Sequence, residues 1–209
     1  MITLHQGDIP ADLSFGTCVA VDTESLGLNW ERDRLCLVQL SAGDGNAHLV
    51  QFSRGEYKAP NLKKLLADPM VTKLFHYARA DLVMMQYYLG VMATPVYCTK
   101  IASALVRTFT ERHGLKELAR DLIGVDLSKE QQTSDWGNEK LSADQQAYAA
   151  SDVLYLHAMR AKLDAMLLRE DRMALATDVM RFLPTRAALD IAGWGDVDIF
   201  AHRPTSRPN

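Results

Sequence analysis

Apolar positions fall into short runs over the first fifty residues and into helical periods afterwards. Thr17–Asp22, Leu35–Leu40 and Ala47–Phe52 are brief stretches rich in branched side chains, which predicts three strands. Turn residues separate them, at Gly27-Leu-Asn29 and at Gly43-Asp-Gly45, the second a good hairpin signal. An antiparallel meander follows from that spacing, preceded by a short strand and a turn ending near Pro10-Ala-Asp12. Beyond it, Asn61–Ala67 carries helical apolar spacing closed by Asp68-Pro69. Val71–His76 reads as a buried strand, Arg79–Leu89 as a helix ended by Gly90, and Val96–Cys98 as one more short strand. Ile101–Arg107 and Leu115–Leu122 are helical.

Residues 126–142 are polar and aperiodic, a loop of a length that is usually functional. Ser142-Ala-Asp-Gln145 has the form of a capping box and predicts one long helix to about Leu168, with helical material continuing to about Leu189. The tail His202–Asn209 is polar and proline-rich and is expected to be mobile. The whole predicts an α/β domain with a mixed central sheet flanked by helices on both faces. Residues 1–182 form the main domain, and 183–209 a C-terminal extension in which Trp194 and Phe200 suit either a subunit contact or folding back.

Composition narrows the function. The chain has 209 residues, 48% hydrophobic and 23% charged, as an ordinary globular protein has. No apolar run approaches the ~20 residues that span a bilayer, and the start lacks the features of a signal peptide, so a cytoplasmic protein without membrane contact is expected. Three widely spaced cysteines, Cys18, Cys36 and Cys98, suit free thiols in a reducing compartment. A formal charge of -3 gives no overall basic footprint for a long polyanion, which favours a small ligand or a very short nucleic acid.

The chemistry concentrates on carboxylates. Cys18-Val-Ala-Val-Asp-Thr-Glu24 carries Asp22 and Glu24 at i, i+2, side by side on one face of a strand end. Paired carboxylates repel unless protonated or bridged by a cation, and oxygen-only ligands suit Mg²⁺ or Mn²⁺; an ordinary polar turn is the competing reading. Asp81 stands early in a helix directly after a strand, where helix-dipole compensation would also explain it. Tyr148 and Asp152 share a helix face at i, i+4, with a core aromatic and a solvated acid as the plain alternatives.

Taken together, Asp22-x-Glu24, His76-x-x-Arg79-x-Asp81 and Tyr148-x-x-x-Asp152 resemble the three exonuclease motifs of the DEDD superfamily in its tyrosine form. Gly114–Ala119, Gln132–Trp136 and Tyr148–Val153 are similar to ribonuclease D, with the resemblance covering residues 15–168. In the superfamily's histidine form a His stands five residues before the last Asp, and here that position is Ala147. Ribonuclease D proper carries C-terminal helical RNA-binding domains for which this chain is too short. His5–Asp8, Cys98–Ser103 and the ending Gly193–His202 resemble the nanoRNase C family of compact diribonucleases.

The resemblance implies a ribonuclease H-like fold and a 3′-5′ exoribonuclease. Its catalytic set would be Asp22, Glu24, Asp81, Tyr148 and Asp152, with the four acids holding two divalent cations (Mg²⁺ or Mn²⁺). By the same resemblance Asp22 bridges both ions, Glu24 and Asp152 complete the site nearer the attacking water, Asp81 supports the second ion, and Tyr148 orients or deprotonates the water. The implied substrate is short RNA, dinucleotides above all, cut to 5′-mononucleotides, with longer RNA (tRNA 3′ ends) or DNA as the alternative. Leu28 falls where related oligoribonucleases wedge between two bases, or else it simply packs. His76, Gln132, Ser134 and Trp136 are candidates for holding substrate, and Trp136 equally suits a loop anchor. His113 and His157 read as surface or packing residues. A homo-octameric ring is implied by resemblance alone.

Overall fold

The computed structural model describes residues 1–128 and 130–202. The tail expected to be mobile lies, from residue 203 onward, outside the described residues.

Six strands form one mixed sheet: β1 (Ile2–Gln6), β2 (Cys18–Ser25), β3 (Leu35–Ser41), β4 (Ala47–Gln51), β5 (Thr72–Phe75) and β6 (Val96–Cys98), in the order β1-β4-β3-β2-β5-β6. The expected meander is present, because β2–β3 and β3–β4 are antiparallel. Its second turn uses Gly43 and Gly45 at φ 78° and 83°, a left-handed backbone that a side chain would strain. β1 does not extend the meander; it pairs parallel with β4 at the edge. On the other side β2, β5 and β6 run parallel. β3 is buried along its whole length, as its unbroken apolar run requires of a central strand.

Helices α1 (Pro60–Ala67), α2 (Ala78–Met84), α3 (Thr99–Val106), α4 (Leu115–Ile123), α5 (Ala143–Leu154), α6 (Leu156–Arg169) and α7 (Met173–Leu189) flank the sheet. Two predicted helices come out differently. The helix expected over 79–89 is α2 followed by a π-helical turn, Met85–Leu89, that stops at Gly90 with φ 69°. The single helix expected from Ser142 to Leu168 is broken at Tyr155, whose backbone (φ −104°, ψ −5°) departs from regular helical angles while staying right-handed. The break lets α5 cross β1–β4 while α6 turns away to pack on α3, α4 and β5. The capping box itself is as expected: Gln145 N–H donates to Ser142 Oγ at 3.1 Å and Ser142 N–H to Gln145 Oε1 at 2.9 Å.

Most apolar side chains join one large core. A smaller cluster of Cys36, Leu37, Leu49, Trp136, Leu141 and Ala149 fills the space between α5 and β3–β4, with Tyr148 at its margin. α7 runs unbroken through residues 182 and 183, continues as a π-helical turn, Asp190–Trp194, and hands the chain back toward α2. Among the described residues no helix is long and apolar enough to cross a membrane.

Candidate active site

The site forms where the sheet runs out of partners. β2 pairs with β5 only over Cys18–Ala20, then continues to Ser25, so its acidic end projects beyond β5. On the other side β3 stays in register until a bulge between Glu24 and Ser25 re-aims the strand end. α2 begins in the space vacated by β5 and brings Asp81; α5 crosses β2 and brings Tyr148 and Asp152. Carboxylate oxygens of Asp22, Glu24 and Asp152 all lie within 4.8 Å of one another. Asp81, 5% exposed, accepts a hydrogen bond from Thr23 Oγ1 at 2.6 Å, so the residue between the two strand acids holds the acid from α2. Directly across from Asp22, the buried Gln39 donates through Nε2 to Asp22 Oδ2 at 3.4 Å.

Four carboxylates so placed resist ionising together. Burial first, then Asp81, Asp152 and Glu24, push the Asp22 pKa well up. Burial and the neighbouring acids raise Glu24 to about 9, and burial above all raises Asp81 and Asp152 to about 7. The Tyr148 phenol is also pushed up, by burial and by Asp152, Glu24 and Asp22. Repulsion among oxygen ligands is what a divalent cation relieves, and three converging carboxylates are the donor set that Mg²⁺ or Mn²⁺ takes.

Around the acids runs a groove of about 1390 Å³. Its walls are the loop after β2, the face of α2, the 132–136 stretch and the segment after α7. Leu28 is 100% exposed on the first wall. Gln132 and Ser134 line the third, where Ser134 Oγ accepts from Gln145 Nε2 at 3.1 Å.

Of the two readings of Trp136, the structure favours the loop anchor: it is 2% exposed, its ring lies 6.0 Å from that of Tyr148, and it packs in the small core cluster at the edge of the groove. His76 is occupied as well: Nδ1 is 2.9 Å from Thr99 Oγ1, and burial with the Lys100 charge lowers its pKa to about 4, which leaves the ring neutral. His113 pairs with Ser103 Oγ at 2.8 Å and His157 with the Cys18 carbonyl at 3.2 Å, both away from the acids. Thr23 and Gln39 lie outside the sequence candidates, while the segment after α7, expected either to make a subunit contact or to fold back, lines the groove. Gln39 left a signal, a lone amide inside the apolar run Leu35–Leu40.

Residues 8–168 match the 3′-5′ exonuclease family, and the chain belongs to it. Within that class it is similar to NrnC of Brucella melitensis over nearly the whole of both chains. The NrnC structure with bound Mg²⁺ is 51% identical, covering 97% of this chain and 99% of that one, with a TM-score of 0.93. The NrnC structure bound to pGG is 52% identical, covering 97% and 98%, with a TM-score of 0.94. Ribonuclease D of Acidiphilium cryptum is 36% identical over 155 residues, which are 74% of this chain and 39% of the relative. The chain thus spans about two-fifths of the length of the curated relatives that it matches first.

Proposed function

We propose that this protein is a two-metal-ion 3′-5′ exoribonuclease whose preferred substrate is short RNA, chiefly the dinucleotide, released as 5′-mononucleotides. The observation that carries the reading is the convergence of Asp22, Glu24, Asp81, Tyr148 and Asp152 at the end of β2, beside a groove poor in cations. Arg79 is the lone Lys or Arg among the described residues lining that groove, against Glu24, Glu31, Asp81, Asp190 and Asp196. A long strand needs a row of cations for its phosphates, whereas a dinucleotide presents few. The likeness to NrnC bound to pGG supports the same size class.

Asp22, Glu24 and Asp152 would hold the divalent cations, with Asp81 supporting them from α2. Bound there, the ions supply charge stabilisation at the scissile phosphate and lower the pKa of attacking water. The chain's own groups do the positioning. Thr23 fixes Asp81 and Gln39 fixes Asp22. Tyr148, one turn from Asp152 and hydrogen-bonded to it, orients the attacking water or takes its proton. Leu28, exposed on the rim, is placed to separate two bases, while Gln132 and Ser134 offer polar contacts to sugar or phosphate. In this reading the enzyme works in the cytoplasm as a homo-oligomer, an octameric ring by family resemblance. Leu175, Val179 and Phe182 of α7, all exposed, with Phe200 packed on Phe182, give it an apolar face for subunit contact.

Initial rates on 5′-phosphorylated RNAs from two to about twenty nucleotides, with matched DNAs and Mg²⁺ or Mn²⁺, test the proposal. A sharp maximum at two nucleotides is expected. A flat or rising profile would make it an exonuclease of longer RNA or DNA.

A further inference from the structure

One wall of the groove is made by the segment that follows α7. Asp190, Gly193, Gly195, Asp196 and Val197 line the same groove as Glu24 and Asp81, although α7 itself packs on α2, α3 and β6 behind it. Gly193, at φ 85°, makes the turn that brings this strap round. Its fastening is concentrated on two guanidiniums. Arg79 Nε and Nη2 donate to the two oxygens of Asp190 at 2.6 and 2.7 Å, and Nη2 donates again to the Gly195 carbonyl at 2.9 Å. Arg186 reaches Asp190 Oδ1 at 3.0 Å and the Gly195 carbonyl at 2.7 Å. Asp190 is 9% exposed, so this is a bidentate pair seated in the protein rather than a loose surface contact.

We infer that Arg79 is a positioning residue that tethers the 190–197 strap as a wall of the substrate groove and so sets the length of substrate that fits. The inference rests on the exonuclease reading above. Arg79 stands two residues before Asp81 on α2, so one short helix carries both an acid of the catalytic cluster and the anchor of the wall facing it. Its fork is spent on the strap, which leaves the lone Lys or Arg among the described residues lining the groove engaged with protein and not with phosphate. The two roles that an arginine could play here predict opposite effects of removing Asp190. A tether loses its post, and the wall loosens. A phosphate ligand loses its competitor, and substrate binds more tightly.

The test is steady-state kinetics of the full-length protein with Mn²⁺ on a 5′-phosphorylated dinucleotide and an octanucleotide. Arg79→Gln, Asp190→Asn and the double variant are compared with the parent. Each single change is expected to raise the dinucleotide KM about tenfold with kcat within about twofold, as displacement of a remote wall does, and to narrow the dinucleotide preference by a similar factor. The double variant should fall short of the sum of the singles, because the two changes share the Arg79–Asp190 pair, although Arg79 also holds the Gly195 carbonyl and Arg186 also holds Asp190. A lower KM in Asp190→Asn, or additive effects, would overturn the tether and make Arg79 a substrate ligand. Backbone amide exchange over 190–197 decides the matter without turnover: Asp190→Asn should speed exchange there, and unchanged exchange would refute the tether. A parent protein without nuclease activity would sink the exonuclease reading, and the exchange result would still judge the strap.

Discussion

Lys73 on β5 and the acids on β2 are buried charges on adjacent strands, handled in opposite ways. The Lys73 side chain is fully enclosed, and its ammonium donates to the carbonyls of Asp68, Val71 and Thr94 at 2.5–2.6 Å. Its three donors meet three acceptors, although burial still lowers its pKa to about 8. At the far end of β2, Asp22 and Glu24 face Asp152, and burial with the neighbouring acids raises their pKa values. The first arrangement is complete and needs nothing more; it locks β5 to the turns on either side. The second is consistent only with protons or a bound cation present. A buried charge whose valences the fold satisfies is architecture, and one that the fold leaves in conflict marks a place for a ligand.

Replacing one residue on each side tests that contrast. Asp22→Asn should lower kcat/KM by about 10³-fold or more, beyond what a single oriented donor supplies, since it removes one of the carboxylates that would hold the cations. The same change should raise the melting temperature of the metal-free protein, because one like charge leaves the cluster. A lower melting temperature would mean that the acids support the fold. Lys73→Ala should do the reverse. It strands three carbonyls and leaves a hole, with a loss of about 3 kcal/mol in a urea titration, while kcat of the folded protein stays near the parent value.

Tyr148→Phe comes next, at about 10²-fold in kcat, the lower end for groups that handle protons. A near-parent rate would remove it from the mechanism. The smallest effect is on pH. The folded state holds its acids at raised pKa values, near 7 for Asp81 and Asp152 and near 9 for Glu24, so it binds more protons than the unfolded chain above about pH 4. Stability of the metal-free protein therefore falls as pH rises from about 7 to 9, above the range in which the neutral His76 works the other way, by at least about 3 °C in melting temperature. Saturating Mn²⁺ should reverse most of that fall at the alkaline end. Identical pH profiles with and without metal would show that the carboxylates do not form a cation site.

Much of this site was legible because its geometry is local. Asp22 and Glu24 share a face through the two-residue period of a strand, and Tyr148 and Asp152 through a helical turn. Asp81 was marked by its place just after a strand. The meander was legible from its turns. Contacts between distant segments were not. Arg79 and Asp190 are 111 residues apart, and nothing in either neighbourhood announces the other. The break at Tyr155 lies in Leu154-Tyr-Leu156, without a glycine or proline to signal it, and is imposed by the separate packing of α5 and α6. Trp136 stayed open in the sequence because its residue type suits both a base platform and a core. Its burial was decided by Leu37 and Leu49, on strands far away in the chain.

Gln145 has a consequence beyond capping α5. Its side-chain oxygen accepts from the Ser142 amide, and its side-chain nitrogen donates to Ser134 Oγ and to the Asp135 carbonyl, both at 3.1 Å. One amide group thus gears the 132–136 wall to the first turn of the helix that carries Tyr148. The position of that wall and the pitch of the turn beneath Tyr148 are therefore set together by a single side chain.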